Sequence, residues 1–154
     1  MSMRSFVRAM PRLSVLAFIA VLPIGCATLA PPPPPANPFA GTWTTAESHQ
    51  IAFRDDTVVV NPKDAQPMTM TAEACAGAFR FGYGRKTREA LIGLATRQPD
   101  LRGKLTSLLV QPDYPVAELA CGEGDSTYVL LGERELVAIH RDRDIGGIER
   151  LSRL

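Results

Sequence analysis

The chain has 154 residues with 17 Lys and Arg, 16 Asp and Glu and 2 His, a formal net charge of +1. Three of the bases (Arg4, Arg8, Arg12) lie in the first twelve residues, while every acid lies after residue 38. The part that folds therefore carries fourteen bases against sixteen acids, a formal −2. Such a surface lacks the clustered base needed to neutralise a phosphate backbone, which argues against a nucleic-acid partner.

The N-terminal stretch sets the organisation of the rest. After the three arginines, Leu13 to Ile24 (LSVLAFIAVLPI) runs almost wholly apolar. A bilayer-spanning helix needs about 20 such residues, so this run is too short to span and has the length of a secretory signal core. Gly25 and Cys26 follow. Here residues 1–26 resemble a bacterial lipoprotein signal, in which the cysteine is lipidated and becomes the first residue of the mature chain. The family's Leu three places before the cysteine is replaced by Pro23, with Leu22 one place further back. The alternative is an ordinary signal cleaved after Ala27, leaving a soluble periplasmic or secreted protein. On the lipoprotein reading Cys26 carries the palmitate-bearing anchor, and Ala27 after it implies sorting to the periplasmic face of the outer membrane in a two-membrane host.

Residues 27–38 form a Pro-rich spacer. Pro31–Pro35 are consecutive, followed by Ala36-Asn37-Pro38. Fixed φ angles favour polyproline II, which at about 3.1 Å per residue makes a semi-rigid rod of roughly 20–25 Å. Residues 39–154 remain as a single domain. Three cysteines are an odd number for an exported chain. If Cys26 takes lipid, Cys75 and Cys121 are left to form a disulfide in an oxidising compartment. The other possibility is two buried free thiols.

Within the domain, Gly41–Thr45 is rich in β-branched residues and reads as a strand. His49–Arg54 alternates, with Ile51 and Phe53 on one face; Thr57–Val60 and the weaker Pro67–Ala72 follow. Cys75–Tyr83 also has period two, putting Phe79, Phe81 and Tyr83 in a row on one face. The period then changes. Thr87 is placed to cap a helix with Leu91, Ile92, Leu94 and Ala95 on its apolar side. Asp100 is placed to cap a second, whose Leu101, Leu105, Leu108 and Leu109 form an amphipathic stripe. Arg85–Gln111 thus reads as a helical hairpin between two groups of strands. Val116–Cys121, Ser126–Leu131, Glu135–Arg141 and Ile148–Leu154 complete the strands, the last against the helical spacing of Ile145, Ile148, Leu151 and Leu154.

Short sequential strands with tight turns predict an α+β fold: a mainly antiparallel curved sheet or small β-barrel with a mid-chain helical hairpin. Gly41-Thr42-Trp43 resembles the Gly-x-Trp that opens lipocalin-type barrels. That resemblance implies a Trp closing one end beneath an arginine near the last strand, here Arg150 or Arg153.

No catalytic constellation stands out. Ser48, His49, Asp55 and Asp56 include the residue types of a serine hydrolase, but adjacent strand residues point to opposite faces. His140 beside Asp142 reads as a rim residue. There is no Cys-x-x-Cys and no His pair at helical spacing, so a zinc site is not expected. Asp142–Gly147 begins like a calcium loop but has Gly146 and Arg153 where the loop needs oxygen ligands. Gly84-Arg85-Lys86-Thr87 ends like a phosphate loop but has Phe79 where the first glycine belongs. Arg85, Lys86 and Arg88 could hold an anion, or simply form a solvated face. No cofactor is expected.

These features predict an exported, lipid-anchored envelope binding or interaction protein rather than an enzyme. Its partner is an envelope protein, or a small apolar ligand lined by Trp43, Phe79, Phe81 and Tyr83. The alternative is an inhibitor of a lysozyme- or protease-type enzyme, acting through the Gly122–Asp125 turn. A broad apolar patch would instead mark an assembly role.

Overall fold

A computed structural model describes residues 37–142 and 145–154. The leader, Cys26 and most of the spacer lie outside the described residues, as do Arg143 and Asp144 of the Asp142–Gly147 turn. The described chain forms β1 (Gly41–Thr45), β2 (Gln50–Phe53), β3 (Val58–Asn61), β4 (Met68–Thr69), β5 (Phe79–Thr87), α1 (Arg88–Gly93), α2 (Pro99–Leu108), β6 (Asp113–Cys121), β7 (Gly124–Gly132), β8 (Glu135–Asp142) and β9 (Ile145–Arg153). All nine strands join one sheet in the order β4-β3-β2-β1-β9-β8-β7-β6-β5, and every pairing is antiparallel. The ladder ends at β4 and β5, so the sheet is a half-barrel rather than a closed one.

Curvature follows from where the apolar rows meet. Phe53 of β2 packs edge-on to Tyr128 of β7 (5.0 Å between ring centres) and stacks with Phe81 of β5 at 6.2 Å. These strands are far apart in the ladder, so the sheet must bend its concave side around them. Trp43, Ile51, Phe53, Val58, Ala117, Leu119, Tyr128, Leu136, Ala138 and Leu151 fill this concave core. Complete burial of each large apolar side chain contributes about 1.5–3 kcal/mol.

The opposite parity of β6 to β9 supplies a second core. Val116, Val129, Val137 and Ile139 pack beneath Leu91, Ala95, Leu105 and Leu109 from the helical segment. β8 is thus covered on both faces, which is why Leu136 to Ile139 are apolar without alternation. Thr87 caps α1, its Oγ1 accepting from the Ala90 N–H at 3.2 Å. Arg88 donates from Nε to the Leu109 carbonyl (2.6 Å) and from Nη2 to that of Thr106 (3.1 Å), satisfying carbonyls left open at the end of α2.

Four local expectations are corrected. Extended structure begins at Phe79 rather than Cys75: residues 72–77 are turn, with Ala76 at φ 52° and Gly77 at φ 84°, incompatible with a strand. The helical insert is shorter than Arg85–Gln111, because β5 runs to Thr87 and pairs with β6 to that point. Gln98, not Asp100, is the N-cap of α2, because Pro99 with its fixed φ and missing N–H takes the first helical position. The weak strand over Pro67–Ala72 shrinks to Met68–Thr69. Ile148–Leu154 is strand as expected, beginning earlier, at Ile145.

Candidate functional site

The Trp43 end is tied shut. The indole N–H donates to the Phe39 carbonyl at 2.9 Å, and the Arg153 guanidinium lies 4.5 Å over the ring centre. The same arginine donates to the Pro38 carbonyl at 2.5 Å, so the end of the spacer, the first strand and the last strand meet there. Arg150 instead pairs with Glu135 at 3.1 Å.

Phe79, Phe81 and Tyr83 share the concave face of β5. Phe81 and Tyr83 meet edge-on at 4.9 Å, and Tyr83 stacks on Phe39 at 5.6 Å. The Tyr83 hydroxyl donates to the Arg54 carbonyl at 2.6 Å, bridging the opening between β5 and the β2–β3 turn. Burial, with a smaller contribution from the Asp55 carboxylate, raises the Tyr83 phenol above its ordinary value, while Asn37 acts the other way. Across the half-barrel Phe53 meets Phe39, Phe81 and Tyr128, while Phe79 packs against the margin of the same core. Trp43 is wholly buried, and Tyr83 is the one of the four that is exposed.

Cys75 and Cys121 form a disulfide with Cα atoms 4.7 Å apart. It joins the turn before β5 to the end of β6. The Gly122 N–H also donates to the Ala78 carbonyl at 2.9 Å, so the β6–β7 turn is held at its base by two crosslinks.

Arg85, Lys86 and Arg88 do not converge on a common anion site. Arg85 pairs with Asp113, Lys86 lies 3.2 Å from Glu118, and Arg88 binds the carbonyls at the end of α2. The convex face carries a cleft of about 420 Å³ bordered by Arg80, Gly82, Glu118, Asp125, Thr127 and Arg141, with Arg141 Nη2 3.4 Å from Asp125 Oδ2.

The two histidines differ sharply. His49 Nδ1 accepts the Lys63 N–H at 3.2 Å and Nε2 lies 3.6 Å from Glu47, so this ring ties two loops together. Ser48 stands at φ 69° in the preceding turn, and Asp56 accepts from Thr57; Ser48, His49 and Asp55/Asp56 form no chain of hydrogen bonds. His140 is different. Its Nδ1 lies 2.9 Å from Ser126 Oγ and its Nε2 lies 3.5 Å from Glu149 Oε2. Ser126 is the direct cross-strand partner of His140, while Glu149 pairs with Ala138 one step along. Gly147 stands opposite His140 on β9, and a Cβ there would meet nothing within 4 Å, so the imidazole has room to lean toward Glu149.

Beside this row sits Tyr128, whose phenol is pushed up to about 12, chiefly by burial, with Glu149 adding and Ser126 opposing. It stays neutral at physiological pH and places no second negative charge beside Glu149. Sequence reasoning places His140, beside Asp142, as a rim residue and does not reach Ser126 or Glu149. One signal was available: a hairpin turn centred on Glu133 reflects Ser126 onto His140.

Among the described residues no three His, Cys, Asp or Glu side chains are grouped to hold a metal ion, and no helix is long and apolar enough to cross a membrane. No protein-family model matches the chain, no curated protein matches its sequence, and no solved structure matches its fold.

Proposed function

We propose that this chain is an exported interaction protein of the cell envelope, anchored through lipid on Cys26 and lifted from the membrane by its Pro-rich spacer. The observation that carries the reading is the Cys75–Cys121 disulfide. Such bonds belong to oxidising compartments. This one uses both cysteines of the folded domain and leaves the third at the end of a signal-like leader. The role of the proline run in this reading is that of a semi-rigid spacer, the behaviour its composition favours.

The contacts among Phe39, Phe53, Phe81, Tyr83 and Tyr128 favour a protein docking on the outside over a small apolar ligand between the arms of the sheet. The convex cleft, with arginines and carboxylates side by side, suits a polar protein surface better than an apolar one. Inhibition of an envelope-directed lysozyme- or protease-type enzyme is the second reading. It is favoured by the Gly122–Asp125 turn, whose doubly crosslinked base would reduce the ordering cost of docking into an active-site cleft.

Expression of the full chain with an alkyne-tagged palmitate tests the anchor. Label and membrane fractionation should both vanish in Cys26→Ala. Unlabelled native protein in the soluble fraction would overturn the anchoring. Crosslinking and capture from envelopes then identify the partner, and rate assays with a panel of lytic enzymes separate inhibition from simple docking.

A further inference from the structure

We propose that Ser126, His140 and Glu149 form an acyl-transfer site on the concave face, cleaving carboxylic esters. This inference is independent of how the chain is anchored or what it docks. The three side chains lie on adjacent strands of a rigid ladder, β7, β8 and β9. They form one polar line: Ser126 Oγ to His140 Nδ1 at 2.9 Å, then His140 Nε2 to Glu149 at 3.5 Å. A serine hydroxyl is a weak nucleophile until a base within hydrogen-bond reach takes its proton and a third group fixes the tautomer of that base. With Nε2 facing the Glu149 carboxylate at 3.5 Å, the reaction uses the tautomer that carries its proton on Nε2 and turns the Nδ1 lone pair toward Oγ. The two ring nitrogens are interchanged relative to the familiar serine-hydrolase arrangement, and the proton-transfer chemistry does not depend on which nitrogen serves.

Access is present as well. The His140 and Glu149 side chains are 42 % and 38 % exposed, and Ser126 is half-buried. The cross-strand row runs Phe81, Leu119, Ser126, His140, Gly147. Leu119 and then Phe81 pack into the core on one side of Ser126, and His140 flanks it on the other, its ring leaning over the space that Gly147 leaves open. Tyr128 supplies a neutral hydroxyl beside Ser126.

The reaction balances without a further reagent. Oγ attacks the ester carbonyl carbon as Nδ1 takes its proton, and the carbonyl π pair moves onto oxygen. The intermediate collapses by breaking the carbon–alkoxy bond, and the leaving alcohol takes the proton from Nδ1. Water, deprotonated by the same nitrogen, then cleaves acyl-Ser126 to release the carboxylic acid and restore the hydroxyl. Glu149 touches no reacting atom and is a positioning residue.

Two measurements on the purified full chain test the proposal. A fluorophosphonate probe, losing fluoride as Oγ bonds to phosphorus, should label the native protein, and peptide mass spectrometry should place the adduct on Ser126. Hydrolysis of p-nitrophenyl acetate should fall at least about 100-fold in Ser126→Ala and in His140→Gln, the scale of a lost nucleophile or general base. In Glu149→Gln kcat should fall with KM unchanged, because the carboxylate orients the base without touching substrate. No adduct, an adduct at another residue, or a Ser126→Ala variant as active as the native chain overturns it. The labelling result stands even if a variant fails to fold.

Discussion

Replacing Cys75 and Cys121 together with alanine measures how far one crosslink supports the half-barrel. The two lie 46 residues apart in sequence. In the chain-entropy model, a closed loop of that length removes about 13 cal/mol/K from the unfolded chain, or about 4 kcal/mol at 25 °C. Cys75 is buried in the concave core, so the double variant also leaves a small cavity, adding roughly 1 kcal/mol. Domains of this size are typically stable by about 5–15 kcal/mol, so the bond accounts for a large share of the total. With a urea slope of about 1–3 kcal/mol/M, the unfolding midpoint should drop by more than about 1 M. Trp43 reports the transition, being the single tryptophan and fully buried. A double variant whose midpoint stays within about 0.3 M of the native protein would refute the loop argument.

Leu105→Ala should cost about 2–5 kcal/mol, since this side chain is fully buried between α2 and the sheet; a thermal melt reads it as a lowered midpoint. Arg153→Ala should cost about 1–2 kcal/mol through loss of the stacked cation and the bond to Pro38, with Arg153→Lys intermediate because an ammonium lacks the planar stack. Tyr128 makes stability fall at high pH. The unfolded phenol ionises near its ordinary value of 10.0, whereas the folded one holds its proton to about 12. Across that window the unfolded chain releases a proton that the folded chain keeps, so roughly 3 kcal/mol is lost as pH rises, with no contribution below the window. Urea midpoints measured between about pH 9 and 12 should decline less steeply in Tyr128→Phe than in the native chain; identical slopes would remove Tyr128 as the cause.

The elements legible in the sequence are those decided by a few neighbouring residues. Period two marks β2 and β5, and Thr87 announces the start of α1 by its capping hydroxyl. Cys75 was drawn into a strand because its parity matched Phe79 and Phe81, yet left-handed residues at Ala76 and Gly77 break the backbone between them. That conformation is fixed by the crosslink to Cys121 and by the Gly122–Ala78 hydrogen bond, both long-range. The Ser126–His140–Glu149 row is further from local pattern still. Its first contact follows from the register of one hairpin, which the turn at Glu133 nearly specifies. Its second needs the register of β8 on β9, and the vacancy at Gly147 that lets the ring reach across a diagonal. Asp142, two residues from His140 on the same strand, was the nearest acid in sequence. In a sheet, however, the side chain within reach belongs to the neighbouring strand, so nearness along the chain does not identify the carboxylate that His140 meets.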